Sequence, residues 1–162
     1  MTTPVTITQI LLGKLIPYFI LGIGSMTICW VIATVWYHVP FRGSFLALFA
    51  ATAIFLIAAI GQGLLISSVT KDQFVASQVA LLSAFLPSFI LSGFIFEISA
   101  MPWPVRVLTH LIAARYFVTC LQTLFLTGTI VPLLLRSMAA IAVIGLGFYI
   151  LTSRKLVKRL DS

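Results

Sequence analysis

Three long stretches of this sequence contain no charged residue. They run from Leu15 to Tyr37, from Ser44 to Thr70 and from Phe74 to Phe96. Each is longer than the ~18 apolar residues that indicate a bilayer-crossing helix. The 162-residue chain is 61% hydrophobic and 8% charged, whereas about 25% of the residues of a typical soluble domain are charged. The sequence therefore predicts an integral membrane protein.

A fourth hydrophobic block near the end of the chain completes the predicted membrane domain. We expect spans at about 11–37, 44–70, 74–96 and 131–152, within a single transmembrane domain that covers 1–162. Because backbone groups in lipid must be hydrogen-bonded internally, the predicted fold class is all-α, a polytopic membrane helical bundle with four full transmembrane helices. Pro87 is expected to kink the third span.

The segment 102–128 differs from these spans, because it contains Arg106, His110 and Arg115. A charge at a helix centre costs about 2.5–3.5 kcal/mol, and each Leu or Ile offsets only about 0.3–0.6 kcal/mol. A straight span centred on Arg115 would therefore be marginal. The pattern favours a re-entrant pair of short helices on the outer face, begun by Pro102 and Pro104.

The distribution of positive charge predicts the orientation. Four full spans place both termini on one side, and the basic cluster that begins at Arg154 and ends at Arg159 assigns that side to the cytoplasm. Lys14 and Lys71 then also lie inside. The net charge of +7 does not indicate a nucleic-acid partner, because the other basic residues are spread among loops and helix ends.

No catalytic or nucleotide-binding motif is present in the sequence. It contains no HExxH, no GxSxG and no GxxxxGK[ST]. The acids Asp72, Glu97 and Asp161 are widely separated. We therefore predict a protein that is not an enzyme, without a cofactor or a metal site. Because spans one to three carry no ionisable group at their centres, the energy for any transport would have to come from a partner.

Several polar and small residues inside the spans allow two interpretations. Small residues near four-residue spacing, such as Ala59 and Gly63, indicate close helix packing, either within one chain or at a dimer face. Gln62 and Gln78 either form hydrogen bonds between helices or line a polar path.

Four segments resemble the permease subunits of the type-2 ABC transporter family, in particular the bacterial branch that exports drugs and other hydrophobic compounds. They are ILLGKLIPYFILG (10–22), GLLISSVTKDQFVASQ (63–78), LPSFILSGFIFEISAMP (86–102) and ARYFVTCLQTLFLTG (114–128). The resemblance implies six helices per subunit, with a re-entrant pair between the fifth and the sixth. It also implies a multi-pass protein of the bacterial inner membrane, in a homo- or heterodimer of permeases driven by separate ATPase subunits.

The sequence departs from that family pattern in two ways. The chain resembles only the carboxy-terminal half of a permease, so we expect an amino-terminal permease half among its partners. In addition, Glu97 stands where relatives commonly have proline, and Ser99 stands where they have an acid.

The resemblance suggests two candidate functional regions. Lys71 and Asp72 would form a loop that contacts the ATPase, although solvated charges that only fix topology are an alternative. The outer gate and re-entrant region would comprise Gly93, Phe94, Phe96, Glu97, Met101, Arg115, Tyr116 and Phe117. Anchoring of aromatic rings at the bilayer surface is the alternative interpretation of that region.

Three expectations complete this prediction. Glu97 is expected to pair with Arg115 or Arg106, and Gly93 is expected to permit a close helix approach. The predicted function is a permease subunit for drugs or other hydrophobic or amphipathic compounds. The alternative is an inactive or assembly-only fragment of a split or truncated permease.

Overall fold

The computed structural model describes residues 7–70, 72–93 and 98–160, and within these ranges the chain is all-α, without strands. The chain divides into two compact units, Met1–Val39 and Pro40–Ser162. The described residues contain four helical segments that are long and apolar enough to cross a membrane, together with one bent helix pair. The predicted fold class is thereby confirmed, whereas the prediction of a single domain stays a prediction.

In the described part of the first unit, one long helix ends in an altered last turn. Helix α1 comprises Ile7–Val31 and continues as a π-helical turn over Ile32–Trp36. The helix stops there because His38 adopts a left-handed backbone conformation, with φ of 52°. The candidate membrane span within this unit is Leu15–Trp36, somewhat shorter than the predicted 11–37.

The core of the second unit is a pair of long helices, α2 (Phe45–Val69) and α7 (Val131–Leu160). The buried residues of each helix lie on one side of it, so each helix presents one face to the core. On α2 these residues are Leu48, Ala51, Thr52, Ala58 and Gly61, and on α7 they include Leu134, Ser137, Ile141 and Thr152. The two helices approach so closely that a Cβ added to Gly145 would lie 2.9 Å from the Cβ of Ala58. Small side chains thus set the distance between α2 and α7.

Helix α6 (Ala113–Gln122) continues as a π-helical turn (Thr123–Thr127) and packs on both core helices. Its far end lies beside the start of α2. There the Ser44 amide donates a 2.8 Å hydrogen bond to Thr129 Oγ1, and the Phe41 and Phe125 rings meet edge to face with centroids 5.1 Å apart. Helix α7 therefore begins at the same end of the unit as α2.

The third span is the least buried part of the second unit. It consists of α3 (Gln73–Ala80), a π-helical turn (Leu81–Phe85) and α4 (Leu86–Ile90), and none of its side chains is buried. The π-helical turn ends two residues before Pro87, which cannot donate an N–H to the helix. The kink expected at Pro87 stays a prediction.

The third span also ends earlier than predicted. Its helix stops at Ile90, six residues before the predicted end of the span at residue 96. Residues Leu91, Ser92 and Gly93 form a bend, and Gly93 has φ of 86°, a conformation that a right-handed helix does not contain. The uncharged run is therefore longer than the helix that it encodes.

Helices α5 (Trp103–Thr109) and α6 form the bent pair, with an angle of 83° including the π-helical turn. Helix α3 begins at Gln73, four residues after α2 ends, and it contacts α2, so the third span runs back towards the end of the unit at which α2 begins. Since α7 also begins at that end, the chain enters the bent pair and leaves it on the same side of the unit. This arrangement favours a re-entrant pair over a fifth span.

Candidate functional site

A cleft of about 360 Å³ opens inside the second unit, between the third span and the helices that face it. One wall is formed by the third span from Ala80 to Leu91, and the opposite wall by α2 from Phe55 to Ile66. The turn between α5 and α6 closes one end of the cleft, with Leu111 and Ala114 among the lining residues. Clefts of roughly 300–1,000 Å³ are the size range of small-molecule sites.

The lining of the cleft is apolar except at a few points. No charged side chain is among its lining residues, all of which belong to the described part of the chain. The polar side chains are those of Gln62 on α2, and of Ser83 and Ser88 on the third span. The Ser83 hydroxyl oxygen is buried and has no hydrogen-bond partner within the described residues. The sequence left open whether Gln62 forms hydrogen bonds between helices or lines a polar path. In the structure it is one of the few polar residues that line an apolar cleft.

The angle of the bent pair is held by Arg115. Its guanidinium donates hydrogen bonds to the hydroxyl of Thr109 and to the backbone carbonyl of Arg106. Both acceptors belong to α5, whereas Arg115 lies in the first turn of α6. The charged side chain therefore supplies donors to the C-terminal end of a short helix, whose last carbonyl groups have no partner inside the helix.

Two further contacts stabilise this segment from its exposed side. The Arg106 guanidinium donates to the backbone carbonyl of Ser99, at 2.6 Å, and so links α5 to the 3₁₀ turn Ile98–Ala100 that precedes it. The His110 ring nitrogen Nδ1 lies 3.2 Å from the Tyr116 hydroxyl, across the bend. Arg115 and His110, two of the residues that made this segment unsuitable as a straight span, thus make the side-chain contacts across its bend.

Phe117 anchors α6 on α2. Its ring stacks on the Phe55 ring with centroids 4.3 Å apart and an interplanar angle of 8°. Phe55 lies ten residues beyond Phe45, or about 15 Å along α2. Since Arg115 precedes Phe117 by half a turn, the bend reaches well into the helical layer. Of the predicted gate residues, Phe117 is thus a packing residue deep in the unit.

The other predicted gate residues are not gathered into one cluster. Gly93 lies at the bend after α4, where an added Cβ would be 3.0 Å from the Ile98 side chain. The close neighbour of Gly93 is therefore Ile98 of the 3₁₀ turn Ile98–Ala100, and not a residue of another long helix. Met101 is half-buried beside α5. Phe94, Phe96 and Glu97 lie outside the described residues, so the expected pairing of Glu97 with Arg115 or Arg106 stays a prediction.

The predicted ATPase-contact loop is short and capped. Asp72 is the N-cap of α3, and its carboxylate accepts a 2.8 Å hydrogen bond from the Phe74 amide. The side chain is exposed. Lys71 lies outside the described residues. Asp72 therefore has a structural role, and its exposure leaves the carboxylate accessible to a partner as well.

Two features of the site were not predicted from the sequence. The first is the π-helical turn that places Ser83 in the cleft, for which Pro87 four residues later is the only sequence signal. The second is the pairing of Phe55 with Phe117, since α2 is apolar on every face and its sequence does not show which side meets α6. Within the described ranges, no group of three or more His, Cys, Asp or Glu side chains is placed to hold a metal ion.

Comparison with known proteins identifies relatives of the whole chain. The profile of the family described as "ABC-2 family transporter protein" matches residues 1–154. The probable multidrug ABC transporter permease YbhS of Escherichia coli strain K12 is 47% identical over 161 residues, which are 99% of this chain and 43% of that relative. The probable multidrug ABC transporter permease YbhR of the same strain is 28% identical over 164 residues, 97% of this chain and 44% of that relative. The chain therefore spans less than half of the length of these relatives. No solved structure matches the chain significantly.

Proposed function

This chain belongs to the ABC-2 family of transporter proteins, and from that premise we propose that it acts in the membrane as part of a permease that exports drugs or other hydrophobic or amphipathic compounds. The observation that carries the proposal is the family match over residues 1–154, which covers all four candidate spans and the bent pair. The names of the relatives, multidrug ABC transporter permeases, support the substrate class.

In this proposal the chain is a transport subunit and the energy comes from a separate ATP-binding cassette ATPase. The sequence contains no GxxxxGK[ST] motif with which it could hold ATP in a P-loop. A second permease subunit, identical or different, and an amino-terminal permease half are the other proposed partners. The proposed location is the bacterial inner membrane, with both termini in the cytoplasm and the bent pair on the outer face.

The packing of the second unit suggests which part would move. Helices α2 and α7 share a closely packed core, whereas the third span buries no side chain. An ATPase that pushes on Lys71 and Asp72 would therefore displace α3 and α4 more easily than α2. Movement of this span would change the width of the cleft, and the bent pair would act as the outer gate.

The role of Asp72 in that coupling can be separated from its role as a cap. Asp72→Asn keeps a side-chain acceptor for the Phe74 amide and removes the charge, because asparagine caps helices about as well as aspartate. If the charge contacts the ATPase, Asp72→Asn lowers dye export several-fold while the amount of protein in the membrane is unchanged. Export equal to that of the wild type would leave Asp72 with capping alone. Asp72→Ala, which removes cap and charge, is the matched comparison.

The proposed function itself is tested by accumulation of a hydrophobic fluorescent dye in the native host. Deletion of the gene should raise the dye content of the cells several-fold, and the intact gene supplied in trans should restore the wild-type level. Dye accumulation that does not change on deletion, for a panel of neutral and cationic dyes, would contradict export of such compounds and favour the assembly-only alternative.

A further inference from the structure

We infer that the cleft is itself a binding site, within a single subunit, for a small neutral aromatic molecule that carries one hydrogen-bond acceptor. The inference names a site for the type of compound given in the proposed function, and to that extent it rests on that function. It places the ligand between the third span and α2, inside the second unit. This location differs from a path between two permease halves.

The walls of the cleft determine the shape and the charge of the ligand. Opposite walls carry small residues, including Ala59 and Gly63 on α2 and Ala80 and Ala84 on the third span. A Cβ added to Gly63 would have no neighbour within 4 Å, so the space in front of this residue is open and not filled by packing. Flat walls of this kind suit an aromatic ring, and a charged group would lose its hydration without gaining a charged partner.

Ser83 determines the polar group of the ligand. Many serine and threonine hydroxyls elsewhere in the helices donate to the carbonyl group three or four residues earlier, as Ser77 and Thr52 do. Ser83 lies in the π-helical turn and makes no such bond, and its buried oxygen has no partner among the described residues. The oxygen is shielded in this orientation, and rotation of the serine side chain about χ1 would turn the hydroxyl towards the cleft. An acceptor atom on the ligand would then satisfy a group that is costly to leave unpaired. π-Helical turns of this type occur frequently at functional sites.

Benzophenone is a suitable probe, since it has two aromatic rings and a single carbonyl acceptor. Under near-ultraviolet light its oxygen takes the hydrogen atom from a nearby C–H bond of the protein, and its carbonyl carbon then bonds to that carbon, so mass spectrometry of the digested protein locates it. The full chain, purified in detergent without any ATPase, is irradiated with increasing concentrations of the probe. We expect saturable labelling of peptides that contain Phe55, Ala59 or Leu111.

Three variants make the result specific. Ser83→Ala removes the donor. It should raise the half-saturating concentration of the probe by about threefold to tenfold, the effect of one hydrogen bond. Ser77→Ala, on the same span but exposed and bonded to the Phe74 carbonyl, is the matched control and should leave labelling unchanged. Ala84→Trp should fill the cleft and abolish saturable labelling, while its elution on size-exclusion chromatography shows whether it is folded.

Three results would overturn the assignment of this binding site. Labelling that is not saturable, or that spreads over the lipid-facing residues of all helices, shows partition into detergent and no site. Saturable labelling that is lost in lipid nanodiscs shows that lipid chains occupy the cleft in place of an aromatic ligand. Equal affinity of the wild type and Ser83→Ala removes the assigned acceptor contact. Because no ATPase is present, failure here leaves the proposed dependence on an ATPase untouched, and failure of dye export leaves a measured binding site in place.

Discussion

Gly145 shows how one missing methyl group sets the spacing of the core helices. An added Cβ would lie 2.9 Å from the Cβ and 3.0 Å from the Cα of Ala58, and backbone atoms cannot move aside as a flexible side chain can. Gly147, two residues further along the same helix, has no neighbour within 4 Å of such a Cβ. The two glycines are therefore a matched pair, one where α2 and α7 meet and one outside that contact.

We predict that Gly145→Ala destabilises the protein by about 1–3 kcal/mol, the usual cost of overpacking. Gly147→Ala should be neutral or slightly stabilising, because alanine favours the helix. Thermal unfolding of both variants in the same detergent measures the difference. Equal melting temperatures for the two variants would show that α2 and α7 do not meet at Gly145.

The stacked rings of Phe55 and Phe117 allow a second prediction. Phe117 belongs to the region predicted as a gate, but a ring that stacks on the core helix at 4.3 Å is expected to act in packing. A double-mutant cycle with Phe55→Leu and Phe117→Leu should give a coupling of about 0.5–1.5 kcal/mol in the free energy of unfolding. Phe125→Leu, which contacts Phe41 instead, provides the control and should not couple with Phe55→Leu. Additive effects of the two leucine substitutions would contradict direct stacking.

The bent pair depends on hydrogen bonds between its two short helices, and four backbone amides report on its bend. His110, Leu111 and Ile112 donate to carbonyl groups three residues earlier, and the Arg115 amide donates to Ile112. Arg115→Met keeps an apolar side chain of similar reach but removes the donors to α5. A hydrogen bond to a charged group contributes about 1.5–3 kcal/mol, so these amides should exchange their hydrogens at least roughly tenfold faster in the variant.

Arg136→Met is the control for that experiment, since Arg136 is an exposed arginine on α7, away from the bend. It should leave the exchange of these four amides unchanged. If Arg115→Met also leaves their exchange unchanged, Arg115 does not hold the angle, and its charge must serve another purpose.

The helices differ in how far their sequences determine them. Uncharged runs are sufficient to predict the four spans, because the need to satisfy backbone groups in lipid leaves few alternatives. Arg106, Arg115 and the nearby prolines are sufficient to predict a bent pair. The end of the third span could not be predicted in this way, since Leu91 and Ser92 are as compatible with lipid as the residues before them. The positive φ of Gly93 is a property of the folded backbone that composition does not reveal.

The cleft could be predicted only in part. Gln62 was recognisable as a polar residue within an apolar span. Its position opposite Ser83 and Ser88 depends on the distance between the third span and α2, which results from packing among residues far apart in the sequence. The small residues illustrate the same limit, because Gly145 packs tightly whereas Gly63 faces open space.

The molecule as a whole combines a closely packed pair of helices with a loosely packed span and no nucleotide-binding motif of its own. Such an arrangement is suited to being moved by a partner, and the proposed partner is an ATP-binding cassette ATPase. The proposed orientation follows from the same account. The loop at 70–72 would face the ATPase in the cytoplasm, and the junction of Ser44 with Thr129 would lie on the outer side.

The most direct test of this account is purification of the tagged chain from native membranes in mild detergent, followed by mass spectrometry of the proteins that accompany it. We predict that an ATPase with the GxxxxGK[ST] motif co-purifies in stoichiometric amount with the chain. Purification of the chain without any ATPase, under conditions in which the cells still export the dye in a manner that depends on this gene, would contradict the account.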